Sequence, residues 1–203
     1  MLDLLDRKLR QMHAALGALS SSDLTSIQPQ ITRTDSHVYT AVDFNQNSDV
    51  VALANAASLV VANIASLKDH LKARCKKQGV AFDGDKLINS NRSVALVHDL
   101  WNVDKHAELN TLPRSGHTPK LVGLSTALSI SAGTEADASA FYSMDPRTGK
   151  LTTGTTGGGK VELVLVAQIV DDNGTILGDF TQVCTEAAET WSTALKTVGV
   201  PLP

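Results

Sequence analysis

The chain has 203 residues, 42% hydrophobic and 19% charged, enough to bury an apolar core without disulfide or metal staples. A net charge of −3 and a pI near 6.0 exclude the broad basic field of a non-specific nucleic-acid binder, though not a local basic patch. Cys75 and Cys184 lie too far apart in sequence for a CxxC motif and imply no disulfide framework, so a reduced, cytoplasmic setting is expected.

The N-terminus places Asp3 and Asp6 ahead of any base, unlike a signal peptide. Leu2, Leu5, Leu9, Met12, Leu16 and Leu19 recur at helical spacing and predict a first helix over 2–19, ended by Ser20, Ser21 and Ser22. Residues 37–44 alternate and are rich in β-branched and aromatic types, so they read as a strand free to join a later sheet. Ser48 and Asp49 offer an N-cap to a second helix over 49–78. Its Leu53, Val60, Ile64, Leu67 and Leu71 fall within about 40° of one line. Lys72, Arg74, Lys76 and Lys77 load its last turns, where the helix dipole favours cations, and Gly79 is a C-cap candidate. The apolar run 50–65 is broken by Asn55, Ser58 and Asn63 and falls short of the ~18 residues of a membrane span, so no membrane partner is expected.

A third helix is expected over 85–109, antiparallel to the second because the connecting loop is short. After Pro113 the composition turns to Ser, Thr, Gly and Val. Residues 120–132 read as a strand, 140–155 as a hairpin with a Pro-containing turn, and 160–170 as a strong strand. Asp171-Asp172-Asn173-Gly174-Thr175 is a hairpin turn signal. Val183, Ala187, Trp191 and Leu195 predict a closing helix over 179–198. The architecture is therefore expected to be α+β. It joins an antiparallel helical hairpin with flanking helices to a small antiparallel sheet, in one domain with a helical part at 1–112 and a β-rich part at 113–178.

The third helix carries the densest set of hydrogen-bonding groups. Arg92, Asp99 and His106 are seven apart and drift only about 20° per step, and Asn102 lies about 60° to one side of Asp99. Leu96, Leu100, Val103 and Ala107 form an apolar stripe beside them, and Val94, Val97 and Trp101 form a second. A helix apolar on two sides is mostly buried, so its polar stripe needs partners. Asn63 and His70 on the second helix are the expected ones, facing Asp99, Asn102 and His106. Such a network can simply fix helix packing. His70, Asp99 and His106 would also make a two-His, one-carboxylate set, but the ExxH pairing of di-metal bundles is missing, and no metal or other cofactor is expected.

Arg114 and His117, flanking Gly116, form an anion-binding candidate just after the helix. Gly157-Gly158-Gly159-Lys160 leads into a strand rather than a helix and so lacks the context of a phosphate loop. Arg74, Lys76 and Lys77 around Cys75 would lower its pKa if they faced the thiol.

Residues 67–72 (LKDHLK), 98–110 (HDLWNVDKHAELN) and 114–121 (RSGHTPKL) resemble segments of uncharacterised bacterial helical proteins. In that resemblance Asp99, Asn102, Lys105 and His106 are signature positions. Arg92-x5-His98 is similar to the R-x(4–6)-H pattern of HEPN-class helical nucleic-acid proteins, where Arg binds phosphate and His transfers a proton across a dimer. The resemblance implies a module of bacterial defence or toxin type, with RNA or a nucleotide as partner, a homodimer, and metal-independent RNA cleavage by Arg92 and His98. On this reading Asn63, His70, Asp99, Asn102, Lys105 and His106 support them. The alternative is a non-catalytic interaction or structural protein whose polar stripe only holds the helices together. The sequence leaves open whether the protein is an enzyme.

Overall fold

A computed structural model describes residues 4–24, 27–45, 49–106 and 112–199. Among the described residues the fold is α+β, with five helices and small antiparallel sheets. In chain order the elements are α1 (Leu4–Gly17), β1 (Ser20–Ser21), β2 (Gln30–Arg33), β3 (Val38–Ala41), α2 (Val50–Gln78), α3 (Gly84–Ser90) and α4 (Arg92–Lys105). They continue with β4 (Lys120–Ser131), β5 (Ser139–Met144), β6 (Leu151–Thr156), β7 (Lys160–Val170), β8 (Ile176–Asp179) and α5 (Phe180–Thr197). The chain divides into two compact units. One comprises Met1–Leu19, Ala54–Leu124 and Val166–Pro203, and the other Ser20–Leu53 and Ser125–Leu165.

The first unit is mainly helical. Asp49 caps α2 by accepting from the amides of Val51 and Ala52; Ser48 lies outside the described residues. Val60, Ile64, Leu67 and Leu71 are buried along one face of α2, as the spacing predicts. The helix ends at Gly79, whose φ of 67° suits glycine, while the Val80 amide reaches back to the Cys75 carbonyl. By length and composition α2 is apolar enough to cross a membrane, because single Asn and Ser interruptions leave its mean hydropathy high. Its buried face shows that it also serves as a core helix.

The expected single helix over 85–109 is two. Asp83 caps α3 by accepting from the Lys86 amide. Asn91 then closes α3 and opens α4, its side-chain oxygen accepting from the Val94 amide. An Asn side chain that satisfies a free helical N–H favours a boundary over a continuous helix. α4 ends at Lys105, with His106 as its C-cap; 107–109, including Ala107, lie outside the described residues. α4 packs most extensively on α5 and next on α3. Every residue from Ser93 to Leu100 is buried. Trp191, Phe180 and Leu195 on α5 are among the largest fully buried side chains. In β7, Leu165, Ala167 and Ile169 are buried at the two-residue period of a strand. The Asp171–Thr175 turn carries the chain into β8, with the Asp171 carboxylate accepting from the amides of Asn173 and Thr175.

In the second unit, among the described residues, β3 pairs with β2 in a separate two-stranded ribbon rather than joining the larger sheet. β5 and β6 form the predicted hairpin. Its turn is held by Asp145, which accepts from the Arg147 amide and the Thr148 hydroxyl, and by Arg33, which donates to the carbonyls of Pro146 and Arg147. β1 pairs with the first half of β7. The triple-glycine turn at 157–159 is a packing device: a Cβ on Gly133 would sit 1.8 Å from the Gly157 carbonyl oxygen.

Candidate functional site

Asp99 is 1% exposed. Its Oδ1 accepts from the Arg114 amide at 3.1 Å and its Oδ2 from the Ser115 amide at 2.7 Å. The loop after α4 thus presents the amides of Arg114 and Ser115 to a carboxylate of the same chain, while His117 of the anion-binding candidate takes no part. Around this clamp the Arg114 guanidinium meets Asp85 at 2.7 Å and Asn89 at 3.3 Å, and Lys68 approaches the same Asp85 carboxylate at 3.4 Å. The Arg114 hydrogen bond is the main reason the Asp85 carboxyl is held below the usual carboxylate range. His117 turns the other way and pairs with Asp171 at 3.6 Å. Hydrogen bonds from the turn amides, led by Thr175, hold the Asp171 carboxyl low.

His98 is also buried. Asn102 Nδ2 faces its Nδ1 at 3.0 Å, so Nδ1 accepts and the proton sits on Nε2. Burial, with the fields of Arg114 and Lys68, pushes the imidazole pKa down and keeps the ring neutral. The ring meets Trp101 edge-on, and the Lys105 ammonium lies 4.9 Å from the Trp101 ring centroid. His106 is exposed and its amide closes α4 onto the Asn102 carbonyl.

Arg92 stands at the opposite end of α4 and donates to the Leu177 carbonyl. No hydrogen bond or ion pair joins it to His98 among the described residues. The cause is helical geometry, since six residues turn the two side chains about 120° apart and separate them by about 9 Å of rise.

Asn63 and His70 do not face the α4 stripe. Asn63 accepts from Lys8 and donates to the Leu59 carbonyl of its own helix. The His70 pKa is lowered by burial and by the nearby Lys8 and Arg7. Asn63 thus meets Lys8 of α1, and the charges of Lys8 and Arg7 on that helix also act on His70, so α1, which the two-helix expectation left out, answers the buried Asn63 of α2. This separates His70 from Asp99, and no group of three His, Cys, Asp or Glu stands close enough to hold a metal ion among the described residues.

The basic neighbours of Cys75 do not activate it. The thiol is 1% exposed, and burial pushes its pKa up against the opposing field of Arg74. Cys184 is pushed up to about 12, chiefly by burial.

Sequence reasoning missed a second polar seam, where α4 meets α5. The Ser93 hydroxyl donates to Glu186 at 2.6 Å, Gln182 donates to the other carboxylate oxygen at 2.9 Å, and Asn91 donates to Thr190 at 3.1 Å. The Ser93 hydrogen bond, then that of Gln182, holds the Glu186 carboxyl below its ordinary value. These residues border an open cleft of about 840 Å³ between residues 81–91 and α5. The one signal available beforehand was Glu186 with Glu189 and Thr190 on the polar side of a helix whose other side is apolar.

No protein-family model, curated protein or solved structure matches the chain. The chain is an α+β protein whose α4 polar stripe holds one buried carboxylate, Asp99, while Arg92 and His106 at its ends are exposed.

Proposed function

We propose that the chain is a non-catalytic interaction protein and that the polar stripe of α4 is part of its packing. The observation that carries this reading is Asp99, whose two oxygens are both engaged by loop amides in a buried setting. A carboxylate so placed orders the 112–118 loop and has no free face for substrate. His98 supports the same reading, with a buried neutral ring held by Asn102. Metal-independent RNA cleavage would need the Arg92 guanidinium to bind phosphate, whereas it donates to the Leu177 carbonyl.

The test is incubation of the purified protein with total cellular RNA, alongside His98→Ala and Arg92→Ala variants. Intact RNA in all three is expected. Cleavage by the native protein that disappears in His98→Ala would overturn the proposal in favour of a HEPN-like nuclease.

A further inference from the structure

We infer that the cleft between residues 81–91 and α5 docks a basic, amphipathic helical segment of a partner protein; this rests on the interaction-protein reading and names the partner's chemistry. The cleft lining runs from Glu186 on α5 to Val198, which caps that helix, about 18 Å along the axis, or a little over three turns of a docked helix. It is open to solvent along its course. That shape suits a segment laid in a groove better than a small ligand, which needs most of its surface enclosed.

The lining is chemically divided. Phe82, Leu87 and Val198 offer apolar surface, while Asp83, Glu186 and Glu189 bring three carboxylates against the single ammonium of Lys86. The cleft therefore carries a formal charge of −2, from three negative groups and one positive. Glu186 is pre-oriented: Ser93, itself buried, and Gln182 each donate to one of its oxygens. Both donors are neutral, so the carboxylate keeps its charge and has lone pairs left for an incoming N–H. Glu189 has no hydrogen bond or ion pair among the described residues. An ammonium or guanidinium on a flexible stem would meet these carboxylates while its segment's apolar side covers Phe82 and Leu87.

Trp191 supplies the readout, because its ring lies 6.4 Å from that of Phe82 at the edge of the cleft. A Trp101→Phe protein keeps Trp191 as its one tryptophan. Its fluorescence is followed on titration with an amphipathic Leu/Lys peptide of about 18 residues, or five turns. The same peptide with Glu in place of Lys, and spermidine, are run in parallel. A saturable change is expected with Leu/Lys, at least about tenfold weaker with Leu/Glu, and reversed by salt. Glu189→Lys should weaken Leu/Lys binding about tenfold or more. Asp69→Lys, an identical change of net charge on α2, should alter it by less than about twofold.

The proposal is overturned if no saturable change occurs, if both peptides bind alike, or if the two charge variants behave alike. Spermidine binding as tightly as the peptide would reassign the cleft to a small amine. A concentration-dependent dimer in sedimentation, abolished by Glu189→Lys, would reassign it to a second copy of the chain. The RNA assay stays separate: intact RNA with no peptide binding removes this inference alone, whereas His98-dependent cleavage removes the underlying reading.

Discussion

Ser115 donates its backbone N–H to the buried carboxylate of Asp99 at 2.7 Å, and this bond ties the loop after α4 back onto the helix. With the neighbouring Arg114 amide on the other oxygen, Asp99 acts as an internal anion in a two-amide cradle.

Asp99→Asn is therefore expected to cost nearly as much as Asp99→Ala, about 2–4 kcal/mol. A carboxamide can accept from one amide, but its own N–H₂ must then face the other. Equilibrium urea unfolding of both variants measures this. An Asn variant with native stability would show that the clamp contributes little.

The burial of His98 makes stability depend on pH. Its folded pKa lies below the unfolded value of about 6.5, so below that value the unfolded state binds more protons. Its contribution is complete above the unfolded pKa and is lost as pH falls through the folded one. His70 acts in the same direction. Thermal melts between about pH 7.5 and 5 should show Tm falling with acidification, and less steeply in His98→Gln than in the native protein. Identical slopes would remove His98 from the account.

The Gly133 approach to the 157–159 turn leaves no room for a methyl group. Gly133→Ala must displace backbone, and a loss of about 1–3 kcal/mol is expected. Gly17 has open space around it at the end of α1, so Gly17→Ala should be neutral or stabilising by up to about 1 kcal/mol. Denaturant unfolding of the pair separates close packing from a general intolerance of glycine replacement.

Neither thiol should react in the native state. Cys75 and Cys184 are both buried, with pKa values raised by that burial. Ellman's reagent at mildly alkaline pH should titrate both only after denaturation. Fast modification of Cys75 would mean that the basic end of α2 activates it after all.

Much of the fold was legible in advance because it rests on local regularities. The apolar line from Val60 to Leu71 predicted α2, and Gly79 its end. Alternation in 160–170 predicted β7, and the Asp171–Thr175 turn was visible as a hairpin signal. The break at Asn91 was missed because the apolar periodicity runs across it, and a capping side chain competes with a helix only once its geometry forms. The candidate site was legible in composition but not in pairing. Asp99 and His98 are buried as a helix apolar on two sides requires, yet the partner of Asp99 is a loop sixteen residues or fewer downstream, not Asn63 or His70.

The sequence by itself determined the main helical and alternating stretches, though not the break at Asn91, and that a polar group buried on α4 needs hydrogen-bond partners. Those facts follow from periodicity and from the cost of burying an unpaired polar group. Only the tertiary structure decided which partners they are. Asp99 meets the Arg114–Ser115 amides, Asn63 meets Lys8, and Ser93 meets Glu186 across 93 positions of chain. Helical spacing specifies the direction in which a side chain leaves its own axis, but the group it finds there depends on which distant segment packs against that face.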